Sequence, residues 1–276
     1  MKRALRIDGV AWVLLSGLLC VGAVVVSAIC AEGGGAPAAA PLAAALDWQP
    51  ALGLREPWRL ATSAWVHWSL PHLAVNLAGG AVVAFVGWRA RLPRAAALAW
   101  LLAWPLTQGV MAGVDSERLA AVMPHYGGLS GVLHAGAAVL GLSLAWPLAR
   151  AGARPPLRAT PSRLDMRASG IDPSRITEGP WAMTEMGVAT AVPMSTLDQP
   201  TAAGPIAAEA RPLRERWIGV AIVAGTLAKV LFEAPWDLAP RASESLGIAV
   251  APLAHACGLA AGIVAWGAVR GVVRWR

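Results

Sequence analysis

VAWVLLSGLLCVGAVVVSAICA, residues 10–31, runs for 22 residues without a charge, and its reading decides the fold. At about 1.5 Å per residue such a helix reaches across the roughly 30 Å hydrocarbon core of a bilayer. Met1-Lys2-Arg3 ahead of it imitates a secretory leader, and Ala28-Ile29-Cys30 offers small residues for cleavage. The run nevertheless exceeds the roughly 7–15 apolar residues of a leader, and further apolar runs follow, so it reads as a retained first helix. Working outward, length and apolarity place six spans, at about 9–31, 69–88, 94–113, 127–148, 216–234 and 248–269. The expected fold is an all-α membrane protein, a bundle of six transmembrane helices.

Composition agrees. The chain of 276 residues is 57% hydrophobic and 14% charged, whereas soluble domains carry about 25% charge. Its net charge of +7 is not gathered into a basic stripe with interleaved aromatics, so the lipid bilayer rather than nucleic acid is the expected partner. Cys20, Cys30 and Cys257 lie in apolar runs without framework spacing and read as packing residues.

Eighteen Lys and Arg fall on one side of the six spans and four on the other; without the long 149–216 stretch the ratio is nine to four. Basic residues stay on the cytoplasmic side, which puts both termini in the cytoplasm. Trp58, Trp88, Trp146, Trp217 and Trp236 fall near span ends, where amphipathic rings favour the headgroup layer. Residues 149–215 are rich in Pro, Ser, Thr and Arg and lack periodicity. Such a stretch buries too little apolar surface to offset its ordering entropy. The expected organisation is membrane helices one to four in 1–148, a disordered cytoplasmic insert over 149–215, and helices five and six with a basic tail in 216–276. Within the insert, 171–186 is the place for a small folded or partner-binding element.

Polar residues are costly inside lipid and mark function. Ser130 stands in Gly128-Leu129-Ser130-Gly131, His255 in Ala254-His255-Ala256-Cys257-Gly258, and His72 and Asn76 are one turn apart. The orientation puts Ser130 roughly 5 Å and His255 roughly 10 Å below the outer ends of the fourth and sixth spans, with His72 and Asn76 beginning the second. A serine hydroxyl is a weak nucleophile until a base such as neutral imidazole takes its proton. Gly128 and Gly131 leave room for a substrate backbone, and Gly258 and Gly262 put a small-residue face behind His255. His72 and Asn76 direct donors, with the Ser130 N–H, toward an oxyanion. Each residue alone has a plainer role in helix packing; the set at one depth points to a peptidase.

Three features stay open. His134, four residues after Ser130, shares its helix face and either orients His255 or serves as the base itself. Lys229 and Glu233 form an i, i+4 pair in the fifth span, read either as mutually neutralising or as part of a gate. His67, His125 and Tyr126 either line the mouth of the site or belong to its loops. Spans four and six contain no Asp or Glu, so no third, carboxylate member of a triad is expected.

Trp58-Arg59 followed by His67, His72 and Asn76, the Gly-Leu-Ser-Gly around Ser130, and His255-xx-Gly258-xxx-Gly262 together resemble the signatures of rhomboid intramembrane serine proteases. The likeness covers most of the chain outside 149–215, in the right order. It implies a six-helix rhomboid fold, a Ser130–His255 dyad, His72 and Asn76 as oxyanion helpers, Gly128 and His134 as auxiliaries, and Arg59, Lys229 and Glu233 as support or gate. His134 stands where rhomboids commonly carry an aromatic, and Gly127-Gly-Leu-Ser-Gly-Val-Leu-His134 resembles the rhombosortase branch, which removes C-terminal sorting helices. The implied substrate is a single-pass membrane-anchored protein cut near the outer face of a cell inner membrane, with no metal and no cofactor. The rivals are a catalytically silent rhomboid-like binding protein and a haem-binding membrane protein using His72, His134 and His255. Zinc-protease chemistry lacks an HExxH motif, and aspartyl chemistry lacks paired membrane aspartates, Asp115 and Asp237 being in loops.

Overall fold

The computed structural model describes residues 9–32, 41–148 and 212–274. The predicted insert therefore lies outside the described residues up to position 211. Among the described residues the architecture is mainly helical. Helix α1 spans Val10–Glu32, α2 Pro41–Leu46, α3 Arg59–Thr62, α4 Leu70–Arg89, α5 Arg94–Ala112, α6 Ser116–Val122, α7 Ser130–Ala145, α8 Leu213–Phe232 and α9 Pro252–Arg274. Between α8 and α9 lies a small antiparallel hairpin, β1 Arg241–Ser243 with β2 Ile248–Val250, in the register Arg241↔Val250, Ala242↔Ala249 and Ser243↔Ile248.

Local sequence explains the boundaries. Ser69 opens α4 by accepting the His72 backbone N–H at 3.2 Å, and Asp115 opens α6 by accepting that of Arg118 at 3.0 Å, each satisfying a donor the first turn leaves free. The predicted fourth span shrinks to 130–145, because Gly128 has φ +132°, outside the helical region, and Trp146 leaves it at the other end. The predicted sixth span begins at Pro252 rather than 248, since residues 248–250 are taken up by β2. Ser130 is thus the first residue of its helix, and His255 sits three residues into its own, roughly 4.5 Å from the start rather than 10 Å.

Among the described residues, four helices are long and apolar enough to cross a membrane: α1 over Val10–Ala31, α4, α5, and α9 over Pro252–Val273. The chain is a multi-pass membrane protein on that ground. Helix α7 is apolar but 16 residues long. Helix α8 has 20 residues and carries Arg214, Glu215, Arg216 and Lys229.

Helix α7 is the hub. It packs on α9, α8, α5 and α4, and α9 packs on α5 as well. Trp12 of α1 and Trp100 of α5 meet at 4.5 Å between ring centroids in the core. Their indole N–H groups donate to the carbonyls of Val83 and Val132, each at 2.9 Å, which links α1 to α4 and α5 to α7. The α7–α9 seam is tighter still. A β-carbon on Gly258 would stand 2.7 Å from the carbonyl carbon of Gly131, and one on Gly262 2.5 Å from the carbonyl oxygen of Ala135. Only hydrogen fits there, so the small-residue face expected from the sequence does bring the two helices into backbone contact. Helices α4 and α8 both lean on α7 without packing extensively on each other.

The segment between α1 and α4 is latched to the chain entering α7. Trp48 and Tyr126 form an isolated antiparallel bridge with both N–H···O distances at 2.8 Å. Asp47, buried beside it, accepts from Arg59 Nη1 at 3.0 Å and pairs with His125 Nδ1 at 2.6 Å. Arg59 is itself buried and also donates to the carbonyls of Ala44 and Asp47, at 2.8 and 2.7 Å, and to Glu56 at 2.6 Å. Gly128 N–H donates to the Ser63 carbonyl at 3.0 Å.

Candidate active site

The residues singled out from sequence converge on one cavity of about 960 Å³ among α4, α7, α8, α9 and the hairpin. Ser130, His72, Asn76, His134, Lys229, Glu233 and His255 all line it. Arg59 and Gly128 do not; Arg59 belongs to the latch, where Ala44, Asp47 and Glu56 hold it. The lining is largely apolar: polar groups cluster at one end, and Val75, Gly79, Val82, Val83, Leu133 and Ala137 continue it as an apolar trough.

At the polar end, the Ser130 hydroxyl is 3.0 Å from Nε2 of His255. The first turn of α7 presents Ser130 because the left-handed Gly128 stops the helix from starting earlier. The α7–α9 contact at Gly131 and Gly258 then brings the fourth residue of α9 opposite the first of α7. His134 stacks on His255 at 4.2 Å between centroids, with the rings 16° from parallel. Its Nδ1–H donates to the Ser130 carbonyl at 2.7 Å. The hydroxyl thus faces His255, while Nδ1 of His134 is engaged by the backbone carbonyl beneath it. Rings stacked this closely also leave no slot for a porphyrin between them.

The expectation of no carboxylate partner is overturned. His255 Nδ1 lies 2.6 Å from Oε2 of Glu233, whose Oε1 accepts from Lys229 Nζ at 2.6 Å. The i, i+4 pair read from the sequence exists, but its carboxylate also reaches across to another helix. Sequence spacing contained the pair and not the cross-helix contact, which depends on how α8 ends against α9.

His72 packs against Gly128, where a β-carbon would stand 2.7 Å from its Cε1. Asn76 donates from Nδ2 to Nε2 of His67 at 3.0 Å. His67, in the loop before α4, donates in turn from Nδ1 to the Trp65 carbonyl at 3.3 Å. Burial pulls the His67 imidazole down to about 4, so the neutral ring, protonated on Nδ1, is the form that accepts from Asn76. One amide N–H of Asn76 is committed, which leaves a second for an oxyanion. Tyr126 was weighed only as a mouth or loop residue. Its hydroxyl is buried between Ser130 and Gly131 without a formed hydrogen bond, and burial pushes its phenol up to about 12.

Comparison with family models, curated proteins and solved structures matches nothing to this chain. The functional reading rests on the residues and their geometry.

Proposed function

We propose that the chain is an intramembrane serine endopeptidase of the rhomboid type, nearest in motif to rhombosortases. In this reading it crosses a cell inner membrane six times, with both termini and the 149–215 insert cytoplasmic, and removes C-terminal anchoring helices from single-pass proteins near the outer face. The observation that carries it is the 3.0 Å approach of the Ser130 hydroxyl to Nε2 of His255 from separate helices at the head of one cavity.

The geometry supports an acyl-transfer mechanism. His255 Nε2 takes the Ser130 proton as Oγ bonds to the scissile carbonyl carbon, and the carbonyl electron pair moves to oxygen. The Ser130 N–H, at the positive end of α7, and the donors of His72 and Asn76 face the space where that oxyanion forms. The tetrahedral intermediate collapses, and the leaving amine takes the proton from Nε2. Water in the cavity then attacks the ester by the same route. The weakly packed α4–α8 side gives a substrate helix a lateral way to the serine, and the apolar trough suits its side chains.

The test is co-expression with exported proteins anchored by a C-terminal helix, comparing the wild type with Ser130→Ala and His255→Ala. Tail removal should stop in both variants. Processing that continues unchanged in Ser130→Ala removes the assignment and leaves the silent, binding-only reading.

A further inference from the structure

Glu233 has no reason to be where it is on grounds of helix stability. It caps the C-terminus of α8, where the helix dipole disfavours an anion. Lys229 precedes it by four residues, the less favourable order for such a pair. What the position does provide is reach. One carboxylate oxygen takes the Lys229 ammonium and the other takes Nδ1 of His255, a ring only 4% exposed. Building on the protease reading above, we propose that Glu233 is the third member of a Ser130–His255–Glu233 triad, a positioning carboxylate that Lys229 holds in place.

A hydrogen bond from Nδ1–H to Glu233 fixes the tautomer that leaves the Nε2 lone pair toward the Ser130 hydroxyl. When the proton moves from Oγ to Nε2, the imidazolium is formed against a carboxylate and remains hydrogen-bonded to it. The Glu233 oxygens accept no proton in the step. The groups facing this imidazole are few. His134 stacks on it from α7, its Nδ1–H already given to a backbone carbonyl. His72 on α4 and Tyr126 before α7 line the same cavity, and Lys229 lies behind Glu233 on α8. Asp47, the other carboxylate lining the cavity, is engaged by Arg59 and His125. Among the described residues, Glu233 is therefore the anion available to His255.

The experiment uses the full chain in lipid vesicles with a helix-anchored substrate, and reads kcat, KM and the pH profile. Ser130→Ala is the reference for the underlying reading. Glu233→Gln should lower kcat about 100-fold or more at little change in KM, as loss of the tautomer-setting carboxylate does in serine proteases. Its acid limb should also move to lower pH, because the imidazolium has lost its counter-ion. Glu233→Asp should restore part of the rate, and Lys229→Met should cost less than Glu233→Gln. A second readout does not need turnover: on the Ser130→Ala background, the far-downfield Nδ1 proton of His255 in the 1H NMR spectrum should vanish on Glu233→Gln. If Ser130→Ala is inactive while Glu233→Gln keeps the wild-type rate and acid limb, or the downfield proton survives that change, the triad is wrong and the dyad stands. Continued cleavage by Ser130→Ala removes both.

Discussion

Gly258→Ala adds one carbon at the seam that holds nucleophile and base together, and its consequence can be worked from distances. The new Cβ would stand 2.7 Å from the carbonyl carbon of Gly131, with that carbonyl's oxygen closer still. Carbon pairs settle at about 3.5–4.0 Å, so α9 must retreat from α7 by about 0.8 Å or more. Gly258 follows His255 by three residues, on the same helix face, so the retreat is felt at the imidazole. A Ser130–His255 separation of 3.0 Å then opens toward 4 Å, beyond the roughly 3.2 Å limit for proton abstraction. Misplacement by about 1 Å costs on the order of 100-fold in rate, or about 2.7 kcal/mol of barrier. The assay is initial-rate cleavage of a helix-anchored reporter in vesicles, normalised to folded protein by thermal unfolding. Gly267→Ala is the control, since nothing lies within 4 Å of that position and the same helix receives the same residue. A Gly258→Ala protein that unfolds like the wild type and cleaves within about threefold of it would refute the argument that this seam sets the catalytic distance.

Other perturbations separate support from chemistry. Arg59→Ala takes the guanidinium from Asp47 and Glu56, leaving Asp47 with His125 and Gln49, and should cost about 3 kcal/mol of stability, the lower end for breaking a buried ion pair; a lowered unfolding midpoint checks it. Gly128→Ala meets both a φ of +132° and the His72 ring, so it should abolish cleavage even where protein accumulates. His134→Phe keeps an aromatic ring over His255 but loses the bond to the Ser130 carbonyl, and kcat should fall by about tenfold or less, since one hydrogen bond contributes roughly 1 kcal/mol. Tyr126 is the chain's one tyrosine, and its phenol is pushed up to about 12 by burial. Folding therefore favours the neutral phenol: that share of stability is whole below pH 10 and drains away as pH rises toward 12. Ultraviolet titration of the folded protein should show tyrosinate only above about pH 11, against about 10 after unfolding.

What could be read in advance was what each segment carries in itself. The charge-free run at 10–31, the glycines one and two turns beyond His255 and the polar residues at helix starts are local signals, and the structure puts them in a long helix, at the α7–α9 seam and around one cavity. The misjudged features depend on a neighbour. Residues 248–250 read as part of an apolar helix because Ile-Ala-Val suits either state, and pairing with 241–243 decided for strand. Arg59 looked like a site residue because Trp58-Arg59 resembles a rhomboid loop signature, while its partner Asp47 sits in a loop with no periodic pattern to announce it. Glu233 was paired with the residue on its own helix, since no spacing rule reaches from α8 to α9.

The arrangement also answers how a membrane protein tolerates a charged cluster. Ser130 and His72 occupy the first turns of α7 and α4, His255 that of α9, and Glu233 the end of α8. The polar groups are thus all at termini that meet at one cavity end, and the helix bodies stay apolar. Terminal backbone groups lack intrahelical partners in any case, so the unavoidable polarity of four helix ends and the chosen polarity of the cluster share one solvated place. In the proposed mechanism the Ser130 N–H serves as an oxyanion donor at no extra desolvation, and Glu233, misplaced for its own helix, gains the Lys229 ammonium and the His255 ring as partners in exchange. Moving the same four side chains two turns into their helices would keep their mutual distances and put every one of them in hydrocarbon.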